Sequence, residues 1–206
     1  MSEQSAESTP TRRRGAALEN AITDAAWEVL VEQGYNGFTF EAVATRAGTS
    51  KPVLYRRWPH REDLLIAALA RHWRPLDIPD TGSLRQDALT LLRTVNAERA
   101  RQLILMRVQL ADYFRETGTD FNDLRSRVLP ADRTPPFTRL VDRAVERGEL
   151  ADVPRSERMV NLPFDLVRHD MLMRMRAVPD ETIVEIVDTV WLPLLGLSPH
   201  GAQTGR

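Results

Sequence analysis

No cysteine occurs among the 206 residues. That single absence removes disulfides, thiolate zinc sites, iron–sulfur ligation and a cysteine nucleophile. Long apolar runs are missing as well: nothing approaches the roughly 18 consecutive apolar residues that a membrane-spanning helix needs. Lysine is almost absent, since of 28 basic residues only Lys51 is a lysine, a bias that genome composition is enough to explain. The chain has no G-x-S-x-G, no phosphate-cradling glycine loop and no dinucleotide fingerprint. Its histidines, His60, His72, His169 and His200, include no metal-spaced pair. His169 and Asp170 are adjacent on a predicted helix and so cannot face each other as a dyad. Catalysis, a bound metal and a cofactor are therefore not expected. Neither a period-two strand pattern nor a 20–50-residue repeat is present.

What remains is an ordinary globular composition, 42% hydrophobic and 28% charged. The length suits one or two domains that can bury a core without staples. No apolar run follows the N-terminal arginines, so a cytoplasmic protein with no membrane partner is expected. The net charge of −1 hides a local asymmetry. Residues 43–61 carry Arg46, Lys51, Arg56, Arg57 and Arg61 and no acid, and it is the local field that steers a charged partner.

Residues 1–14 are expected to form a disordered basic tail. Helical spacing begins at Ala16, with Leu18, Ile22, Ala25, Ala26, Val29 and Leu30 on one side, and stops at Gly34. Thr39 is a predicted N-cap for a short helix over 40–47, ended by Gly48. Thr49 and Ser50 offer the next cap, for a helix over 51–58. Pro52 is tolerated in its first turn and Pro59 stops it. A fourth helix over 61–74 turns Leu64, Leu65, Ala68 and Leu69 inward, and residues 75–82 (PLDIPDTG) form a linker. Further helices are expected near 83–97, 99–117, 120–129, 135–147, 155–177 and 180–195. The prediction is an all-α protein of nine to ten helices. Residues 15–60 form an N-terminal helical domain, 61–82 a helix and linker, 83–198 a second helical domain, and 199–206 a tail.

The helices over 40–47 and 51–58 follow helix-turn-helix grammar. Ala44 is small where two helices cross, and Gly48 can adopt the left-handed conformation of a tight turn. On the second helix Leu54 and Trp58 point inward. Pro52, Val53, Arg56 and Arg57 face away, with Lys51 and Tyr55 toward the edge. Such a helix fits the DNA major groove, where lysine and arginine reach guanine acceptors and small apolar groups meet thymine methyls. Tyr55, Arg57, Arg61 and Thr39 suit phosphate oxygens. A charge run alone would suggest only a solvated helix. The turn chemistry, the acid-free stretch and the presented tyrosine together favour DNA.

The block from Thr49 to Leu65 (TSKPVLYRRWPHREDLL), preceded by Phe38-Thr39-Phe40, Val43-Ala44 and Ala47-Gly48, resembles the signature of the TetR family of bacterial transcriptional regulators. Mild departures are Trp58 where phenylalanine is commoner, Arg61 where lysine is, and Pro52 where glycine is frequent. They bear on base preference. The resemblance implies a homodimer that binds a palindromic operator in double-stranded DNA through a helix-turn-helix domain (residues 15–60), with 61–82 as hinge helix and linker, and that is released by a small organic effector held in a ligand-binding and dimerisation domain (residues 83–198). It implies DNA contacts by Thr39, Lys51, Tyr55, Arg57 and Arg61, with Lys51, Pro52, Val53 and Arg56 nearest the bases. Thr49, Ser50 and His60 complete the candidate set. Arg12, Arg13 and Arg14 are either a minor-groove arm or a non-contacting tail.

In the second domain, Leu162, Leu166, Met173, Ile183, Val187, Val190, Trp191 and Leu194 are candidates for a dimer interface, because helices apolar around most of their circumference need two apolar neighbours. Burial within one subunit is the alternative. Pro163 and Pro193 predict kinks or breaks. Leu103, Arg107, Leu110, Tyr113, Phe114, Phe137, Phe164, Arg168, Met171 and Met175 are candidates for an effector pocket. Arg107 and Arg168 fall in apolar stripes, where a cation needs an acid partner or an anionic ligand. A DNA-binding regulator without an effector, whose second domain only dimerises or docks a protein, is the competing reading.

Overall fold

Side-chain caps at Thr39, Asp120 and Ser156 and left-handed glycines at Gly48 and Gly118 bound several of the helices. A computed structural model describes residues 15–73, 76–129 and 134–197, and among these it contains ten helices and no strand. They are α1 (Ala16–Gly37), α2 (Phe40–Ala47), α3 (Lys51–Arg57), α4 (Arg61–His72), α5 (Leu84–Gln109), α6 (Ala111–Thr117), α7 (Phe121–Val128), α8 (Pro136–Glu146), α9 (Glu157–Arg174) and α10 (Asp180–Glu185). The last continues through a π turn (Ile186–Trp191) into Leu192–Leu194. The tails at 1–14 and 199–206, with Arg12, Arg13 and Arg14, lie outside the described residues. No described helix is long and apolar enough to cross a membrane.

Two apolar cores share α5. The first joins Ile22, Ala26, Val29 and Leu30 of α1 to Val43, Leu54, Leu64 and Leu65. It extends well past residue 60, taking in Met106, Leu110, Tyr113, Leu124 and Val128. The second gathers Leu84, Ala88 and Leu91 of α5 with Phe137, Leu140, Val167, Met171, Ile183, Val187 and Trp191. Fully burying one such leucine or valine contributes about 1.5–3 kcal/mol, so the helix common to both cores is held from both ends.

The expected break between 97 and 99 is absent. No glycine or proline occurs there, and α5 runs unbroken for 26 residues. The chain instead leaves the helix at Leu110, where φ is −100° and ψ is 6°. The cause is tertiary: Leu110 is buried in the first core, and the Gln109 side chain donates to the Val31 carbonyl at 2.8 Å. Residues after the break therefore do not continue the face of residues before it. The buried stripe of α5 runs through Ala100, Leu103 and Met106, one position from Arg107, which is exposed.

Two prolines are absorbed in different ways. Pro163, expected to kink or break its helix, sits buried within the continuous α9. A proline has no N–H for the carbonyl four residues earlier, and here that carbonyl, of Met159, accepts instead from Trp191 Nε1 at 3.0 Å. Pro193 lies directly after the π turn, which is where a missing donor and a bulky ring disturb the ladder. The linker is strapped to the second core. Thr81 donates through its N–H and Oγ1 to the buried Asp87 at 2.6 and 2.7 Å, and the Leu84 N–H donates to Glu149 at 2.9 Å.

Candidate nucleic-acid interface

Thr39 caps α2, its Oγ1 accepting from the Ala42 N–H at 3.1 Å. Gly48 closes the helix with φ 64° and ψ 40°, a left-handed conformation that costs most residues about 1 kcal/mol and glycine nothing. The Thr49 N–H then donates back to the Ala44 carbonyl at 3.0 Å, which turns the chain sharply into α3. Ser50 stands at the N-cap of α3 and Pro52 in its first turn. Leu54 and Trp58 are buried and anchor α3 from below.

The opposite side of α3 faces solvent. Lys51, Pro52, Arg56 and Arg57 are exposed, and so are Thr39, Ser50 and His60 nearby. Tyr55 is 51% exposed and leans on the Phe40 ring, centroids 4.3 Å apart, so its position is set while its hydroxyl end stays accessible. Three candidates depart from this set. Val53, expected to face away, is half-buried against the first core, beside the buried Leu54. Thr49 is half-buried in the turn. Arg61 is half-buried at the start of α4, lying 3.8 Å above the Tyr35 ring and paired with Glu116 at 2.8 Å.

The acid-free stretch is not acid-free in space. Lys51 Nζ meets Glu41 of α2 at 2.9 Å. Arg57 pairs with Glu19 of α1, and Arg46 with Glu28 and Glu32. These bonds push the Lys51 ammonium and the Arg46 guanidinium further toward the charged form. Arg56 makes no ion pair among the described residues. Sequence reading missed these acids because each lies on another helix. His60 is at the N-cap of α4, where its N–H donates to the Asp63 carboxylate at 3.0 Å.

The second domain is arranged differently from expectation. Ile183, Val187 and Trp191, candidates for the interface, are buried within their own chain. Trp191 stands edge-on to Phe137 at 5.3 Å and is held by its bond to Met159. Leu162 and Leu166 are half-buried, while Met173 (71%), Val190 (36%) and Leu194 (50%) are exposed.

The pocket candidates do not converge. Leu103, Phe137 and Met171 are buried in the second core, with Phe164 packed against it. Leu110, Tyr113 and Phe114 belong to the first, carried there by the break at Leu110. Arg168 pairs with Asp165 on its own helix at 2.8 Å, and Arg107 faces solvent. Of these candidates Met175 lines an open groove of about 500 Å³ between α5 and the turn after α9. A smaller cleft of about 290 Å³ lies between the linker and α5. No group of residues able to hold a metal occurs among the described residues.

Tyr113 ties α6 to α4 within the first core. Its hydroxyl donates to Glu62 at 2.6 Å, and Arg127 also pairs with Glu62. These two bonds, the one from Arg127 foremost, hold the Glu62 carboxyl below the usual range, whereas burial pushes the Tyr113 phenol up.

Two family models match the chain. One, described as "Bacterial regulatory proteins, tetR family", covers residues 22–68. The other, "Tetracyclin repressor-like, C-terminal domain", covers residues 78–190. An uncharacterised HTH-type transcriptional regulator of Mycobacterium tuberculosis is 30% identical over 168 residues, 81% of this chain and 82% of that one. The DNA-binding transcriptional repressor TetR of Mycobacteroides abscessus is 31% identical over 186 residues, 88% of this chain and 96% of that one. A crystal structure of a TetR family transcription regulator superposes with a TM-score of 0.57 at 25% identity, covering 84% of this chain and 96% of that one.

Proposed function

This chain belongs to the TetR family of bacterial transcriptional regulators, and from that premise we propose that it is a homodimeric cytoplasmic repressor of a palindromic operator, governed by a small organic effector. Its place in the family makes it a DNA-binding regulator and not an enzyme. The observation that carries the reading is α3: anchored by Leu54 and Trp58, it turns Lys51, Pro52, Tyr55, Arg56 and Arg57 outward on one short rod. Lys51 and Arg56 are placed for base edges, and Thr39, Tyr55 and Arg57 for phosphates at the groove walls. On binding, Lys51 exchanges Glu41 for base acceptors and Arg57 exchanges Glu19 for phosphate oxygens. Pairing of two protomers through Met173, Val190 and Leu194, with Leu162 and Leu166 at the margin, covers apolar surface that the single chain leaves in water. Repression rather than activation follows the Mycobacteroides abscessus relative, named a repressor and matched over most of its length.

A second reading has an observation in its favour. The second core is filled by Phe137, Met171 and Trp191, as expected of a domain that only dimerises or docks a protein.

Titration of the protein and its variants against DNA selected from the source genome tests the proposal. Tyr55→Ala and Arg57→Ala weaken binding to all sequences, about tenfold each, and Arg56→Ala also relaxes base preference, by about 1–3 kcal/mol at one position. Affinities equal to the parent for all three variants contradict it.

A further inference from the structure

The groove between α5 and the turn after α9 has three features that belong together. Its α5 wall is an apolar stripe of Ile104, Leu105 and Val108 left without a partner helix, Val108 being 56% exposed. Its rim carries two cations, Arg101 and Arg176, which make no ion pair among the described residues, and no acid lines it. Its far wall is Met175, the one described non-glycine residue with positive φ, at 52°. Such strain persists only where the surroundings impose it and is concentrated at functional sites. A flexible thioether over an apolar trough suits a ligand of adaptable shape.

The same groove reaches the DNA-binding helices. Gln109 lines it, and the Gln109 amide donates to the Val31 carbonyl of α1 at 2.8 Å. Its Oε1 also stands 2.8 Å from where a Cβ on Gly34 would be. A molecule lying along Val108 therefore reaches Gln109, a side chain that bonds α5 to α1.

We propose that this groove is the effector site, that it takes an organic monoanion with an extended apolar body, and that occupancy shifts α1 through Gln109. The apolar body covers the α5 stripe and Met175 while the anion is met by Arg101 and Arg176. This rests on the reading of the chain as an effector-governed regulator, and places the effector outside the filled core.

Decanoate is the probe, with decyltrimethylammonium as the cationic control, and calorimetry and DNA titration are run on the same full-length samples. Expected is one decanoate per protomer, no binding of the control, and at least a tenfold loss of decanoate affinity in R101Q/R176Q with DNA affinity unchanged in the absence of ligand. V108W, which fills the trough, gives the same loss. Gln109→Leu retains decanoate but no longer releases DNA. Decanoate affinity indifferent to R101Q/R176Q and V108W overturns the site, and release of DNA by decanoate in the Gln109 variant overturns the route. Dissociation of the dimer by Val108→Glu overturns it too, since the groove then belongs to a second copy. Each of these failures leaves DNA binding by the wild type intact, whereas wild type that binds no DNA removes the regulator reading itself.

Discussion

Glu41 is the residue that most directly opposes its neighbours. It stands on α2, 2.9 Å from the one lysine of the chain, on the side of the molecule that we assign to a polyanion. Both partners are well exposed, so the bond is readily exchanged, and its role is to hold Lys51 until a stronger anion arrives. Replacing the acid removes repulsion toward phosphates and leaves Lys51 unmasked. Glu41→Gln is expected to tighten DNA binding roughly two- to fivefold at low salt, with the gain fading as the Debye length shrinks to a few ångströms. Anisotropy titrations across a salt series check this, and weaker binding by the variant at low salt would show that Glu41 orients Lys51 rather than masks it. Glu62 acts on structure instead. Its carboxylate is favoured by Arg127 and then by Tyr113, so its contribution is complete above the ordinary glutamate range and is lost as pH falls through its lowered value.

The end of α1 shows how an element depends on one residue. Gly34 has φ 66° and ψ −175°, a region essentially reserved for glycine, and it kinks α1 one turn before its end, against α5. Any Cβ there is both strained and pressed on Gln109. Gly34→Ala is expected to lower stability by about 1–3 kcal/mol, measured as a shift in the denaturation midpoint at constant slope. An unchanged midpoint means the turn relaxes freely. Elements built from local chemistry could be read before any coordinates: α2, its turn and α3 are specified by Thr39, Gly48, Ser50 and Pro52, and Leu54 and Trp58 point inward by spacing alone. Elements decided by distant packing could not. Nothing near Leu110 in the sequence breaks a helix, yet the chain leaves α5 there because Leu110 is drawn into the first core, and that shift of phase scattered the expected pocket. Likewise Trp191 looks like an interface residue until Pro163 leaves the Met159 carbonyl in need of a donor.

The molecule as a whole is two cores threaded by α5, and the first is tied together at its edge where Arg61 and Glu62 of α4 meet Glu116, Tyr113 and Arg127. α5 packs against α1, the helix on which α2 rests, and its Gln109 bonds the Val31 carbonyl there, which is the contact through which the proposed effector acts. The proposed function on DNA calls for two such molecules, because one short rod contacts only a few base pairs and a two-fold pair repeats it one helical turn along the duplex. Hydroxyl-radical footprinting of the protein on its selected operator tests this most directly. Two protected patches on one face of the DNA, their centres about 34 Å apart, both lost in Tyr55→Ala, are the expected result. A single patch, or two that persist when Tyr55 is removed, would mean that α3 is not the element that enters the groove.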